Sequence, residues 1–309
     1  MSKRVPTTVF SGFLGSGKTT LISSLIDNLQ AQNVQVAYIK NEIGDTDIDT
    51  KLFQGKDIQT KELLNGCICC TLVGPFAAAV SELIAKFHPD RIIIEASGAA
   101  DPSAIALMIS SHPELRRDGI VSVVDVLNFE GYKDLSNTAQ RQTQFTDLII
   151  FNKVEEATLE QKKRVVGYVR ELNNQAPIIE APKGVISPEL VLGIDSKNLD
   201  DFLKKYLDAG ETDHIDHDHF SAFTLSSSAT FSQEGLYQFL TSLPKALFRT
   251  KGIFKNNQQE WISFNGVGQK VNFEEMESTE HLSESIFVFI GIHADNYKDE
   301  VSKKLQQTH

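Results

Sequence analysis

The segment Ser-Gly-Phe-Leu-Gly-Ser-Gly-Lys-Thr-Thr at residues 11–20 constrains the fold of this chain more than any other feature of its sequence. It fits the pattern Gly-x-x-x-x-Gly-Lys-Ser/Thr from Gly12 to Thr19. An apolar, β-branched run precedes it, and leucine and isoleucine recur at helical spacing over residues 21–29. A glycine-rich loop between a strand and a helix predicts a phosphate-binding loop, whereas glycines alone would predict only a turn.

The chemistry of such a loop assigns roles to its polar residues. Successive backbone N–H groups and the N-terminus of the following helix face one anion. We expect the ammonium group of Lys18 to reach the β- and γ-phosphates and to act in catalysis, and the hydroxyl group of Thr19 to bind Mg²⁺. The residues predicted to bind the nucleotide in this segment are Gly12, Gly15, Ser16, Gly17, Lys18, Thr19 and Thr20.

Carboxylates lie at or just after the ends of three predicted strands, one of which is the strand at residues 121–125 that ends in an aspartate. Glu42 and Asp45 occupy an acidic loop after the second strand. Glu95 ends a continuous apolar strand, and Gly98 follows it. Because open α/β sheets bind ligands at the carboxyl ends of their strands, we expect Glu95 to serve Mg²⁺ or the attacking water and Gly98 to approach the γ-phosphate. Glu42 or Asp45 would orient that water or hold Mg²⁺, although a solvated turn explains their loop equally well.

The three cysteines of the chain all lie within four positions, at Cys67, Cys69 and Cys70. Their odd number and close spacing do not fit a disulfide framework, so we expect reduced thiols that act as a group. Thiolates are soft ligands for transition metals, and we expect these thiols to bind Zn²⁺, although they could also bind Co²⁺ or Ni²⁺. The fourth ligand position stays open to water, to a carboxylate or to a ligand from a partner. Core packing beside a helix start is the alternative.

A further loop, Asn152-Lys153-Val154-Glu155, follows an apolar strand. In GTPases the corresponding loop is Asn-Lys-x-Asp, and its carboxylate accepts hydrogen bonds from the N1–H and the amino group of guanine. Glu155 keeps the carboxylate and adds a methylene group. The sequence therefore predicts guanine binding by Asn152, Lys153 and Glu155, although an Asn-Lys pair after a strand also forms simple turns.

Strands alternate with helices up to residue 207, which predicts an α/β fold. We expect a P-loop NTPase domain at residues 1–207, with a mostly parallel central sheet covered by helices, and a smaller α+β domain at residues 221–309. The segment 208–220 between them is rich in histidine and aspartate, a composition that suits metal capture or a solvated linker. The candidate ligands in it are His214, His217 and His219.

The net charge of −11 argues against a general nucleic-acid-binding surface, because phosphate backbones require a basic face. No apolar run approaches the roughly 20 residues that span a bilayer. The sequence enters its first strand directly after Met-Ser-Lys-Arg, without the apolar run of a signal peptide. We therefore expect a cytoplasmic protein that binds neither nucleic acid nor membranes.

Five motifs together resemble the CobW-like metallochaperone GTPases of the P-loop superfamily, of the zinc-regulated GTPase metalloprotein activator type. They are Gly-Phe-Leu-Gly-Ser-Gly-Lys-Thr-Thr at 12–20, Asn-Glu-Ile-Gly at 41–44, Gly-Cys-Ile-Cys-Cys at 66–70, Glu-Ala-Ser-Gly at 95–98 and Asn-Lys-Val-Glu at 152–155. Segments at 243–244, 249–253 and 287–291 resemble the C-terminal module of that family. The sequence departs from the family pattern at Glu155, where aspartate is usual, and at Ser97, where threonine is common.

The resemblance implies a GTPase that delivers a metal, often zinc, to a client metalloprotein, with the metal held by the three cysteines. GTP and Mg²⁺ are the implied cofactors, and a homodimer that depends on nucleotide or metal stays open. No arginine finger is evident in the sequence, so we expect slow intrinsic turnover. If both sites share one switching element, nucleotide and metal affinities are coupled. An ATP-dependent small-molecule kinase and a non-enzymatic metal buffer are the alternatives, and cobalamin-pathway or metalloenzyme-activation roles stay open within the family.

Overall fold

The computed structural model describes residues 4–41, 59–62, 73–97, 102–129, 131, 140, 143–193, 213–214, 220–276 and 283–308. The chain divides into two compact units, Met1–Leu192 and Gly193–His309. The domain boundary predicted at residue 207 and most of the predicted linker lie outside the described residues. Both therefore stay predictions.

The described part of the first unit contains a seven-stranded sheet in which every strand pairing is parallel. The strands are β1 (Val5–Gly12), β2 (Val36–Asn41), β3 (Gln59–Glu62), β4 (Arg91–Ala96), β5 (Leu115–Asp125), β6 (Leu148–Asn152) and β7 (Ile178–Ala181). Their order across the sheet is β3-β2-β4-β1-β5-β6-β7. The predicted α/β fold with a parallel central sheet is confirmed.

Helices follow β1, β3, β4, β6 and β7 in the described part of this unit, and the first four of them lead to the next strand of the sheet, as parallel pairing requires. They are α1 (Lys18–Ala31), α2 (Val73–Phe87), α3 (Pro102–Ser111), α4 (Leu159–Leu172) and the single turn α5 (Pro188–Val191), with a short 3₁₀ turn at Pro182–Gly184. The start of α4 is fixed by a capping box, in which Thr158 and Gln161 satisfy each other's backbone N–H groups. Apolar side chains of the sheet and helices form the core of this unit.

At the centre of the sheet the parallel strands β4, β1, β5 and β6 lie side by side, so their carboxyl ends are at the same edge. Every residue of β1 and β4 is buried, which agrees with strands that are covered on both faces. Since β1 lies between β4 and β5, the strand order reverses beside it, and ligands of open α/β sheets bind at such a point. The strand β5 begins at Leu115, whereas the sequence pattern predicts it only from Val121, because the charged residues 116–118 interrupt the apolar run.

The described part of the second unit is an antiparallel sheet with two helices. Its strands are β8 (Asp213–His214), β9 (Phe220–Ser227), β10 (Arg249–Lys255), β11 (Trp261–Val267), β12 (Lys270–Glu275) and β13 (Ser285–Ile292), in the order β12-β11-β10-β13-β9-β8. The helices are α6 (Gln233–Thr241) and α7 (Lys298–Leu305), the latter preceded by a 3₁₀ turn at Ala294–Tyr297. The predicted α+β fold is confirmed.

Phenylalanine dominates the core of this second unit. The phenylalanines of its core cluster are Phe223, Phe231, Phe239, Phe254, Phe264, Phe287 and Phe289. Several of these rings pack edge to face, tilted or stacked, with centroids 5.0 to 6.3 Å apart. In the described parts of both units, no helix has the length and apolar character needed to span a membrane.

Candidate nucleotide-binding site

The glycines of the 12–20 loop have backbone conformations that residues with side chains rarely adopt. Gly12, Gly15 and Gly17 have φ angles of 134°, 76° and 89°. A Cβ atom on Gly12 would lie 2.2 Å from the carbonyl oxygen of Val123, and one on Gly17 would lie 2.2 Å from Nδ2 of Asn152. The sequence therefore folds here into a tight loop that packs closely against the ends of β5 and β6.

Lys18 begins α1, and its side chain turns back over this loop. Its ammonium group donates hydrogen bonds of 3.0 Å to the carbonyl oxygens of Gly12 and Phe13, and the residue is only 6% exposed. The cation is therefore held at the mouth of the loop, at the N-terminus of a helix. Both features favour an anion beside it.

Thr19 and Glu95 join the start of α1 to the end of β4. The hydroxyl group of Thr19 donates a 2.9 Å hydrogen bond to Oε1 of Glu95. Oε2 of Glu95 accepts a 2.6 Å hydrogen bond from the hydroxyl group of Tyr38, on β2. Burial raises the pKa of Glu95, while hydrogen bonds from Tyr38 and Thr19 and the charges of Lys18 and Lys40 act in the opposite direction.

The oxygen atoms at this point fit a hard divalent cation. A threonine hydroxyl and a carboxylate are ligands that Mg²⁺ accepts. The Oγ atom of Ser16, in the loop, is also buried and has no hydrogen-bond partner among the described residues. A buried polar atom of this kind calls for a ligand or water, so the residues present suit a nucleotide with Mg²⁺.

Asn152 and Lys153 connect the end of β6 to the same loop. Nδ2 of Asn152 donates a 2.9 Å hydrogen bond to the carbonyl oxygen of Ser16, while its Oδ1 accepts the backbone N–H of Lys153. The ammonium group of Lys153 donates to the carbonyl oxygen of Gly15 at 3.1 Å and to Oδ2 of Asp125 at 2.6 Å. Both contacts to the loop use its carbonyl groups, so they do not occupy its N–H groups.

Glu155 lies at the surface, two residues after Lys153. Its Oε2 accepts a 2.9 Å hydrogen bond from the backbone N–H of Lys183, in the 3₁₀ turn after β7. This hydrogen bond is the largest cause of a lowered pKa at Glu155. The neighbouring Gly184 lies close to both Thr20 and Asn152, since a Cβ atom on it would be 3.7 Å and 3.9 Å from their side chains. The 182–184 turn therefore borders the same site.

Sequence comparison identifies the family. The CobW/HypB/UreG nucleotide-binding domain matches residues 6–180, and the C-terminal domain of the cobalamin synthesis protein cobW matches residues 220–309. The chain belongs to the CobW/HypB/UreG family. The predicted resemblance is thereby confirmed, and the 12–20 loop described above lies within the part of this CobW-type chain that matches the nucleotide-binding domain.

Named relatives share most of this CobW-type chain. It is 30% identical over 262 residues to the zinc chaperone CobW of Sinorhizobium sp, an alignment that covers 72% of this chain and 73% of that protein. It is 28% identical over 313 residues to the zinc-regulated GTPase metalloprotein activator 1 of Schizosaccharomyces pombe, covering 85% and 75%. The Zn(II)-bound structure of the YjiA GTPase from E. coli aligns with 99% of both chains at 19% identity and a TM-score of 0.45.

Several predicted site residues of this CobW-type chain lie outside the described residues. They are Glu42, Asp45, Cys67, Cys69, Cys70, Gly98, His217 and His219. His214 lies in β8, where its backbone pairs with Ser221, so at least this part of the predicted linker is in a sheet. Within the described ranges, no group of three His, Cys, Asp or Glu side chains is placed to hold a metal ion. The metal site at the cysteines stays a prediction.

Two residues of the site had no predicted role. Tyr38 lies inside a buried strand, where a tyrosine is indistinguishable from any other core aromatic residue in the sequence. Asp125 carried a visible signal, because it ends a predicted strand with an acid just as Glu95 does. Its partner Lys153 lies 28 residues away, and only the pairing of β5 with β6 brings the two together.

Proposed function

We propose that this chain is a GTPase that carries a transition metal, Zn²⁺ in the first instance, as cargo and delivers it to a client metalloprotein under the control of the bound nucleotide. The observation that carries the GTPase assignment is the direct joining of the phosphate loop to the Asn-Lys-x-Glu loop. Asn152 and Lys153 hydrogen-bond the carbonyl oxygens of Ser16 and Gly15, so the proposed phosphate-binding loop and the proposed base-binding loop are directly connected.

In the nucleotide site, Lys18 neutralises phosphate charge, and Thr19 and Glu95 hold Mg²⁺. The bound Mg²⁺ would offset the negative charge of the phosphates. The hydroxyl group of Thr19 donates a hydrogen bond to the Glu95 carboxylate, so the two proposed Mg²⁺ ligands lie within hydrogen-bond distance of each other. Gly98 would donate its backbone N–H to the γ-phosphate, and Glu42 or Asp45 would orient the attacking water.

Base recognition falls to Glu155, with Asn152 and Lys153 supporting its loop. The carboxylate already accepts a backbone N–H from Lys183, which fixes its direction at the surface. A carboxylate accepts both donors of the guanine edge, and adenine has no such pair. The longer side chain of glutamate is therefore compatible with guanine binding in place of the usual aspartate, because its hydrogen bond to the 182–184 turn restrains the position of its carboxylate.

Support for metal transport comes from the relatives and from the cysteines. One relative is named a zinc chaperone and another a zinc-regulated GTPase metalloprotein activator. Three thiols at Cys67, Cys69 and Cys70 form a ligand set for Zn²⁺, with Co²⁺ or Ni²⁺ as alternative cargo. His214, His217 and His219 would capture the metal before transfer.

Nucleotide control requires that metal affinity differ between the GTP and GDP states. The test is a competition titration of Zn²⁺ on reduced, full-length protein with Mg²⁺ and either a non-hydrolysable GTP analogue or GDP. We expect the dissociation constant to differ by about 5- to 150-fold, the usual range of coupling between two sites. Equal constants would show that nucleotide does not control the metal.

Matched variants separate the parts of the proposal. Lys18→Ala should abolish the nucleotide effect while leaving Zn²⁺ binding intact, and Cys67→Ser should weaken Zn²⁺ binding while leaving nucleotide binding intact. Lys86→Ala, at an exposed lysine outside the site, should change neither. Hydrolysis of ATP but not GTP without an acceptor would favour an ATP-dependent enzyme, and cellular metal phenotypes that Lys18→Ala leaves unchanged would favour a metal buffer. Light scattering with GTP analogue and Zn²⁺ tests whether nucleotide or metal induces a homodimer.

A further inference from the structure

The ammonium group of Lys153 donates hydrogen bonds to two acceptors of different kinds. One is the carbonyl oxygen of Gly15, in the phosphate loop, at 3.1 Å. The other is Oδ2 of Asp125, at the end of β5, at 2.6 Å. Lys153 has a φ angle of 60°, so its backbone is in the left-handed region that directs the chain sharply away from β6. The lysine therefore bridges two loops that belong to different strands.

Asp125 is itself held in place by the turn that follows it. Its Oδ1 accepts the backbone N–H groups of Leu127 and Asn128 at 3.0 and 3.2 Å, and its Oδ2 accepts Nδ2 of Asn128 at 2.7 Å. The turn thus holds the carboxylate of Asp125 by hydrogen bonds that do not involve the lysine. Burial raises its pKa, but the hydrogen bonds from Asn128 and Lys153 outweigh burial, and the pKa is lowered overall.

The same turn reaches the phosphate loop by a second contact. The ring of Phe129 lies 5.9 Å from the ring of Phe13, in the loop, and 6.1 Å from the ring of Tyr168, on α4. Residues 125–129 therefore support the loop through an ion pair on one side and an aromatic cluster on the other.

We propose that Asp125 is a positioning residue of the nucleotide site and that it acts through Lys153. A free lysine side chain samples many rotamers, and the charge-assisted hydrogen bond to Asp125 restricts it to the one that reaches Gly15. With the Gly15 carbonyl held in this way, the loop N–H groups stay turned toward the phosphates. The inference rests on the proposed nucleotide-binding function, and it assigns the effect to binding and not to the chemical step.

The test is a double-mutant cycle on the full chain with Asp125→Asn, Lys153→Met and the double variant. Asp125→Asn keeps an acceptor oxygen for the 125–128 turn but loses the charge that holds Lys153. We expect it to raise the dissociation constants of GDP and of a non-hydrolysable GTP analogue by about tenfold alike, the effect of losing one charge-assisted hydrogen bond, with turnover at saturation unchanged. In the Lys153→Met background, the same change should alter affinity less than about twofold, because its target is gone.

Glu82→Gln is the matched control, since it removes the charge of another carboxylate that pairs with a lysine, Lys86, at an exposed position outside the site. We expect it to leave nucleotide affinity within about twofold of the wild type. If Asp125→Asn also lowers the melting temperature, the cycle still decides, because a loss of folding would weaken binding in both backgrounds.

The outcomes separate this inference from the function on which it rests. A wild-type protein that binds neither GDP nor the GTP analogue would overturn the proposed function. If the wild-type protein binds them, either of two results would overturn the positioning role alone. One is a change in affinity below twofold in Asp125→Asn, and the other is an Asp125→Asn effect that is equally large in the Lys153→Met background.

Discussion

The hydroxyl group of Tyr38 donates a 2.6 Å hydrogen bond to Oε2 of Glu95, the carboxylate whose other oxygen accepts the hydroxyl group of Thr19. Both oxygens of a buried carboxylate are therefore engaged, one from β2 and one from the start of α1. Tyr38 is 2% exposed, so its hydroxyl group has no access to bulk water. This contact keeps Glu95 oriented and opposes the effect of burial on its pKa.

Tyr38→Phe should make Mg²⁺-dependent nucleotide binding more sensitive to acid. Glu95 must be ionised to hold Mg²⁺, and burial raises its pKa above the ordinary value of 4.5. Binding therefore weakens as the pH falls through that raised pKa. Removing the Tyr38 donor raises the pKa further, so the loss begins at a higher pH. Calorimetric titration of Mg²⁺ into the GTP-analogue complex between pH 5.5 and 8.5 measures the shift.

The control for this change is Tyr168→Phe, which removes a tyrosine hydroxyl at a ring that packs on Phe129 and not on Glu95. Its pH profile should match that of the wild type. Superimposable profiles for all three proteins would mean that Tyr38 does not influence the charge of Glu95.

Thr19→Ala should abolish hydrolysis without unfolding the protein. The change removes the hydroxyl group that reaches Glu95 and is proposed to hold Mg²⁺. We expect turnover to fall by about 100-fold or more, the scale of losing one group that stabilises charge in a transition state. Thr19→Ser retains the hydroxyl group and should stay within about tenfold of the wild type. Steady-state GTP hydrolysis at saturating Mg²⁺ measures both, and equal activity of the two variants contradicts the assignment.

Gly17→Ala and Gly15→Ala form a matched pair in the phosphate loop. Both glycines have positive φ angles, so either alanine adds backbone strain of about 1–2 kcal/mol. Only the Cβ atom at position 17 would collide, at 2.2 Å from Nδ2 of Asn152, whereas nothing lies within 4 Å of the one at position 15. We expect Gly17→Ala to weaken nucleotide binding far more than Gly15→Ala. Fluorescent-nucleotide titration compares them, and similar losses would mean that the Asn152 contact is dispensable.

The phosphate loop, the strands that flank it and Glu95 could all be predicted because their signals are local. A glycine pattern, a continuous apolar run and a terminal acid each lie within about ten residues of sequence. Tyr38 and the role of Asp125 could not be predicted in this way, since each acts on a residue of another strand. The order β2-β4-β1-β5-β6 is what brings them together, and strand order is not written in any single segment.

Residues 115–120 show the same limit in the fold. Arg116, Arg117 and Asp118 interrupt the apolar pattern that predicts β5, although they belong to that strand. Asp118 is buried because Arg91, on β4, supplies a compensating charge, and Arg117 pairs with Asp147 in the same manner. A prediction from the sequence pattern treats each charged residue as exposed, because the pattern does not show which residue of another strand will pair with it.

Glu155→Gln should reduce the preference for guanine nucleotides over adenine nucleotides. The change replaces the carboxylate that is proposed to accept hydrogen bonds from the two donors of guanine. The amide oxygen of the glutamine can still accept a hydrogen bond from the backbone N–H of Lys183. We expect GTP affinity to fall by about tenfold or more, as a good bidentate contact to a base is worth about 1–3 kcal/mol. Competition binding with GTP, ITP and ATP measures the change. Glu156→Gln alters the neighbouring exposed charge and should leave the order of affinities intact; if both variants behave alike, Glu155 does not read the base.

Asp118→Asn tests whether the buried ion pair with Arg91 supports the strands beneath the site. Oδ2 of Asp118 accepts hydrogen bonds from Arg91 at 2.6 Å and from Thr8 at 3.1 Å. Breaking a buried pair from one side costs about 3–5 kcal/mol, because the other charge stays buried. The exposed pair of Lys86 and Glu82 is the control, and Glu82→Gln should change stability by less than about 1 kcal/mol. Urea unfolding followed by circular dichroism compares the two, and equal midpoints would mean that the Arg91–Asp118 pair contributes nothing to the stability of β4 and β5.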